Sequence, residues 1–327
     1  MCMSNLVSVP IKRIDPWMHD VELPHTGVFH PAGFPLRLAT NSRDVMEAAH
    51  ESWHYWEREY DVDPLSFRVV VEPEGELAGP PVFRIYEHLV QVVSDRHNFA
   101  NADLSTLLAA VHVSAKTAAD HSWLRWFFVE SMAYMLLVQR YLVAIHAGCV
   151  ARHGKGLLLC GKSGAGKSTL SFACARAGWT YVADDCTWLL AHSRDRIAIG
   201  RPHQIRFRDD AARHFPELAG AVAQTRPNGK LSIEVLMDYF PQIATAQRCE
   251  IGGVVFVDRS SGVQARLERV EPSAAVEALL TDLPTYGDEV NAVHERTIGA
   301  LMAVPCWRMH YRTLDEALEL LSGISKE

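Results

Sequence analysis

The stretch Gly161-Lys162-Ser163-Gly164-Ala165-Gly166-Lys167-Ser168-Thr169 constrains this chain more than any other. It matches G-x-x-x-x-G-K-[ST], the P-loop pattern, whose glycines let the backbone curl around phosphate oxygens. The flanks fit. Gly156 to Cys160 is a short apolar run that reads as a buried strand. Leu170 to Ala177 reads as a helix stopped by Gly178, a C′ glycine. Strand, glycine loop and helix together point amide groups and a helix N-terminus at an anion. Lys167 is then placed to reach the β/γ-phosphates of a nucleotide, and the Ser168 hydroxyl to ligate Mg²⁺.

The bulk numbers set limits on the rest. A chain of 327 residues holds one large domain or two ordinary ones. With 48% hydrophobic and 22% charged residues it has the composition of a soluble globular protein. The formal net charge of -7, without a basic run, argues against nucleic acid as a partner. Seven scattered cysteines, none in C-x-x-C, predict reduced thiols in a cytoplasm and no cysteine-built zinc site. No signal-peptide core is visible. The longest apolar stretch, Trp123 to Ala147, carries Arg125, Glu130 and Arg140, so no membrane span is expected.

Residues 1 to about 33 read as an irregular lead-in. Strands are expected at 34–40, 65–71, 83–86 and 89–93, with a helix from Ser42 to about Glu59. The segment 103–115 fits strand or helix. These elements suggest a small α+β domain over 1–121, joined by a bridging helix, 122–140, to a second domain over 141–327. His50-Glu51-Ser52-Trp53-His54 is a literal H-E-x-x-H, which on a helix can bind zinc. The pattern fixes only three positions in a chain with 16 histidines, and no third ligand can be assigned, so a packed or solvated helix face is expected.

Leu142 to Val150 reads as one strand, turned through His153-Gly154 into the strand before the glycine loop. That makes an antiparallel hairpin, unlike the parallel sheet of Ras-type proteins. Trp179 to Asp185 is an apolar strand ending in two carboxylates, Asp184 and Asp185. Ligands of such sheets bind at the carboxyl ends of strands, so the pair should face the phosphates. A hairpin around 193–195, strands at 204–207, 231–236, 252–258, 264–270 and 306–311, and helices near 210–214, 274–280, 290–302 and 313–321 complete the reading. Arg206 and Lys230 are candidate phosphate or acceptor contacts, and Arg226 is a further cation of the same region.

Three motifs in order, His146-Ala147-Gly148, Gly161 to Thr169 and Val182-Ala183-Asp184-Asp185, resemble the HPr kinase/phosphorylase catalytic domain and its relatives. Ile251 to Arg259 and the closing strand and helix extend the likeness over about 140–327. The resemblance implies an α/β fold with a mixed sheet, the P-loop variant shared with phosphoenolpyruvate carboxykinase. It implies ATP and Mg²⁺ as cofactors, Lys167 on the phosphates, Ser168 and Asp185 on the metal, Asp184 as base, and His146 near the transferred phosphate. Two family features are missing. Gly200 to Arg206 lacks the glutamate of the family signature, and no HPr-binding segment is recognisable. The expectation is a divergent, cytoplasmic serine kinase acting on a protein or peptide. Small-molecule or carboxykinase-like phosphoryl transfer and a non-catalytic ATP-binding regulator are the alternatives. Self-association is left open.

Overall fold

The computed structural model describes residues 15, 17–193, 195–259, 264–284 and 286–324. Residues 1–14 and 16 of the expected lead-in, and the turn residue Arg194, lie outside them. The chain divides into two compact units. The first holds Met1–Phe29, Phe34–His54 and Tyr60–Ala133, and the second His30–Gly33, Tyr55–Glu59 and Tyr134–Glu327.

The first unit is built on a seven-stranded sheet. Its strands are β1 (His25–Phe29), β2 (Leu36–Thr40), β3 (Leu65–Glu72), β4 (Val82–Tyr86), β5 (Leu89–Val93), β6 (Phe99–Asp103) and β7 (Leu108–Ser114). Their order is β1-β2-β3-β7-β6-β5-β4. β2, β3 and β7 run parallel, and the remaining neighbours are antiparallel. Helix α1 (Arg43–Trp53) buries Val45, Ala48, Ala49 and Trp53 along one stripe, as its spacing dictates. β1 falls in the expected irregular lead-in. Its Gly27 and His25 hide the alternation that pairing with β2 reveals. The ambiguous 103–115 segment resolves into the end of β6, a turn and β7.

Of the H-E-x-x-H stretch, His50, Glu51 and His54 are exposed, and Ser52 and Trp53 are buried. Glu51 accepts from His121 Nδ1 (2.7 Å) and Arg125 (3.1 Å). Buried Ser52 donates to Glu130 Oε1 at 3.0 Å, and Arg125 also binds Glu130 at 3.2 Å. Among the described residues the ligand-type groups within 4.8 Å of one another are Asp44, Glu47 and His121, so neither motif histidine belongs to such a group. α2 (Ala115–Ala119) and α3 (His121–Leu124) follow β7, and a π-helical turn at Arg125–Val129 joins α3 to α4 (Glu130–Arg140).

In the second unit a nine-stranded mixed sheet carries the glycine loop. It contains β8 (Leu142–Ile145), β9 (Ala147–Arg152), β10 (Lys155–Cys160), β11 (Thr180–Ala183), β12 (Thr187–Leu190) and β13 (Ile197–Ile199). β17 (Arg248–Arg259), β18 (Arg266–Val270) and β19 (Cys306–Tyr311) complete it. Three shorter strands, β14 (Gln204–Phe207), β15 (Gln224–Thr225) and β16 (Leu231–Leu236), form a separate sheet in the order β14-β16-β15. β10 pairs antiparallel with β9 and parallel with β17, and β17 pairs parallel with β19. The apolar run before the glycine loop is thus central in a mixed sheet.

One expected strand, 142–150, is two. β8 pairs with β12, and β9 pairs with β10 and β11. The chain changes partners at His146, where the sheet curls back on itself, and the ladder breaks there. The expected helix at 210–214 is a 3₁₀ turn, Ala211–Arg213, cut short before Pro216. It still places Phe215 in an aromatic cluster with Phe172, Phe207 and Phe240. α5 (Lys167–Arg176) packs on this cluster through Phe172. α6 (Pro272–Thr281) and α7 (Asp288–Gly299) cover the sheet with Leu279 and Ile298, and α8 (Leu314–Ile324) packs Ala317 and Leu321 against its other face.

Candidate active site

The chain leaves β10 at Cys160, loops through Gly161–Gly166 and enters α5 at Lys167. Gly164 and Gly166 have φ of 91° and 93°, a region that favours glycine. Side chains also come close to both positions. A Cβ at Gly164 would lie 2.9 Å from the Arg208 guanidinium, and one at Gly166 would lie 2.8 Å from the Tyr311 hydroxyl. That hydroxyl donates to the Ala165 carbonyl at 3.2 Å, which ties the loop to β19. Lys167 is 5% exposed and donates from Nζ to the Gly161 carbonyl at 2.7 Å, across the mouth of the loop. Burial lowers its amine below the usual lysine value, and neighbouring Asp185 opposes this.

Asp184 and Asp185 follow β11 directly. They differ in surroundings. Half-buried Asp184 accepts through Oδ2 from the Arg206 backbone N–H at 2.9 Å. Burial pushes its carboxyl above the usual aspartate range, and the Arg206 amide and guanidinium work against that shift. Exposed Asp185 pairs through Oδ1 with His146 Nε2 at 3.0 Å. His146 reaches it because the strand break between β8 and β9 frees that position from the ladder. Gly148 leaves room for the turn of α5 beneath: a Cβ there would lie 2.5 Å from the Ser171 hydroxyl and 3.2 Å from the Asp184 carbonyl.

A cavity of about 520 Å³ joins these parts. Ser163, Gly164, Gly166, Lys167, Ser168 and Thr169 line it from the loop and α5, and Asp184 and Asp185 from the end of β11. Gly161, Lys162, Ala165 and His146 do not line it. Arg206, Arg226 and Lys230 line the side formed by the small sheet. Arg206 is held by Glu234, Nε to Oε2 at 2.6 Å. Burial and the neighbouring Arg206 charge lower the Arg226 guanidinium to about 10. The Arg226–Lys230 turn closes with the Arg226 amide donating to the Lys230 carbonyl at 3.0 Å.

Sequence reasoning missed Arg208, His214 and Arg259, which also line the cavity. For Arg259 a signal existed. It ends an apolar strand, and a strand parallel to β10 puts its carboxyl end beside the loop. The loop and carboxylates supply amides, an amine and oxygen donors around one space. That set suits a phosphate-bearing ligand and a hard divalent cation.

No family model matches this chain. Over 103 residues, 30% of this chain, it is 31% identical to the HPr kinase/phosphorylase of Bacillus subtilis (strain 168). The chain spans about one third of the length of that curated relative. Among solved structures, the HPr(Ser) kinase/phosphatase from Coxiella burnetii aligns over 56% of this chain and 98% of its own, with 14% identity and a TM-score of 0.32. No membrane-crossing helix is present among the described residues. The likeness indicated by the three motifs thus has a counterpart in a sequence match over 30% of this chain, which is similar to an HPr kinase/phosphorylase and divergent from it.

Proposed function

We propose that the chain is an ATP- and Mg²⁺-dependent kinase that phosphorylates a hydroxyl, a serine of a protein or peptide being the leading acceptor. The observation that carries this reading is the sharing of one cavity by the glycine loop, Lys167 and the two aspartates. A pure nucleotide binder has no need of a half-buried carboxylate beside the phosphate cradle. The likeness to an HPr kinase/phosphorylase supports the same reaction class.

The residues fit the cofactor. Ser168 and Asp185 offer hard oxygen donors at the cavity wall, the donor type Mg²⁺ takes. Bound Mg²⁺-ATP supplies an electrophilic phosphoryl group with part of its charge neutralised. In this reading the loop amides and Lys167 hold the phosphates, Asp184 accepts the acceptor's hydroxyl proton, and His146 orients Asp185 through the 3.0 Å contact. Catalysis is then mostly positioning and charge neutralisation.

The test separates the two carboxylates. Asp184→Asn is expected to keep Mg²⁺-ATP binding and to lose about 10²–10⁴ in transfer rate, the contribution of a positioned base. Asp185→Asn is expected to weaken Mg²⁺ dependence and nucleotide binding together. Calorimetric titration beside single-turnover transfer reads both. Reversed outcomes would exchange the two roles, and normal turnover in both variants would falsify the kinase reading.

A further inference from the structure

Arg208 has no part in the phosphoryl transfer proposed for this chain, yet it lies on the glycine loop. β14 ends one residue before it, at Phe207, whose ring meets Phe172 of α5 edge-on with centroids 5.2 Å apart. α5 is the helix into which the glycine loop runs. The Arg208 carbonyl accepts from the Ala211 amide at 3.2 Å, where the 3₁₀ turn begins. The backbone at 208 is thus tied to α5 on one side and to the turn on the other. The guanidinium lies over Gly164: a Cβ there would be 2.9 Å from Nη2 and 3.5 Å from both Nη1 and Cζ. Ser163, Gly164, Lys167, Ser168 and Arg208 line the same cavity. Among the described residues no carboxylate pairs with Arg208, whereas Arg206, Arg176 and Arg196 hold Glu234, Glu217 and Glu250. Asp209 and Asp210 follow it along the cavity, and among the described residues neither is ion-paired with it.

We propose that Arg208 is a second phosphate-gripping cation, whose guanidinium binds oxygens of the phosphates held by the glycine loop and Lys167. The proposal rests on the reading of this cavity as a nucleotide site. The loop amides fix where the phosphates lie, and the guanidinium already touches that loop. Its planar fork offers N–H groups side by side, the geometry that takes two phosphate oxygens at once. A triphosphate carries more charge than Lys167 and one Mg²⁺ offset, and cations set in place beforehand neutralise the remainder without reorganisation. Arg206 is less suited to this, because Glu234 already takes its Nε at 2.6 Å. A purely structural role for Arg208 would ask only for bulk over Gly164, which an uncharged side chain of similar length supplies.

The test uses the full chain and two probes, Mg²⁺-ATP and Mg²⁺-tripolyphosphate, the second lacking the nucleoside. Arg208→Met keeps the bulk and removes the charge and the donors. Calorimetry should show both probes bound about ten- to a hundredfold more weakly than by the wild type, the loss expected for hydrogen bonds to a charged group. Arg208→Lys keeps the charge without the fork and should fall between the two. Melting temperatures without ligand should agree among the three proteins. If the wild type binds Mg²⁺-ATP and Arg208→Met binds it as tightly, Arg208 is no phosphate ligand, and the nucleotide reading survives. Weakened ATP binding with unchanged tripolyphosphate binding would assign the arginine to the nucleoside and overturn the proposal. An Arg208→Lys protein as weak as Arg208→Met, or lost affinity accompanied by a lower melting temperature in both variants, would assign the effect to shape and overturn it too. A wild type that binds neither probe would remove the nucleotide reading, and the role of Arg208 with it.

Discussion

Gly156 lies in β10 with a thiol on either side. A Cβ there would meet Cys249 Sγ at 2.5 Å and Cys149 Sγ at 3.4 Å. The two sulfurs, from the strands flanking β10, lie 3.6 Å apart over the bare backbone. Gly156→Ala should therefore cost about 1–3 kcal/mol by overpacking. Combining it with Cys249→Ala should restore most of that loss, and denaturant midpoints of the single and double variants decide it. Lys167 makes a different kind of residue-scale claim. Its amine lines the cavity and donates to the Gly161 carbonyl, so Lys167→Ala removes both that hydrogen bond and the cation offered to a phosphate. ATP affinity should fall about ten- to a hundredfold, the loss expected for a hydrogen bond to a charged group. Unchanged affinity in calorimetry, with the fold intact, would remove the lysine from the phosphate site.

At the scale of elements, α8 shows a reciprocal cap. Thr313 Oγ1 accepts from the Glu316 amide, and Glu316 Oε2 accepts from the Thr313 amide, both at 3.3 Å. Glu316 also accepts from the Arg312 amide at 2.9 Å and pairs with its guanidinium. The Arg312 side chain and these amides hold the Glu316 carboxyl down at about 2, against an ordinary 4.5. A depressed carboxylate stabilises above its unfolded pKa, and that contribution is lost as pH falls through the folded one. The chain should thus lose stability between about pH 4.5 and pH 2 in part through this group. Glu316→Gln should show a lower melting temperature at pH 7 and a smaller drop on acidification. Equal melting curves at pH 7 would exclude the cap as a stabiliser. Local signals of this sort are legible in a sequence. So were the strand, glycine loop and helix around Lys167, the hairpin of β9 and β10, and the carboxylates at the end of β11. The break at His146 was not, because it arises from β8 pairing with β12 while β9 pairs with β10. Arg208 was missed for the same reason: nothing near it in sequence records that it fills the space above Gly164.

For the molecule as a whole, the glycine loop is braced from far along the chain. Tyr311 donates to the Ala165 carbonyl and occupies the space above Gly166. Tyr311→Phe should lower stability by about 1 kcal/mol, the worth of an ordinary hydrogen bond. It should also weaken ATP binding a few-fold, as read by thermal unfolding and calorimetry on the same samples. Unaltered binding would mean that the loop holds its shape without β19. The brace also bears on synthesis. A ribosome making roughly 5–20 residues per second releases the loop on the order of ten seconds before Tyr311. Until β17 and β19 have been made, β10 has only its hairpin partner β9, and the loop has no hydroxyl to hold it. In the proposed reading, a nascent chain therefore carries the whole phosphate motif before the strands and the hydroxyl that brace it exist, and ATP should bind it more weakly at that stage than in the finished fold.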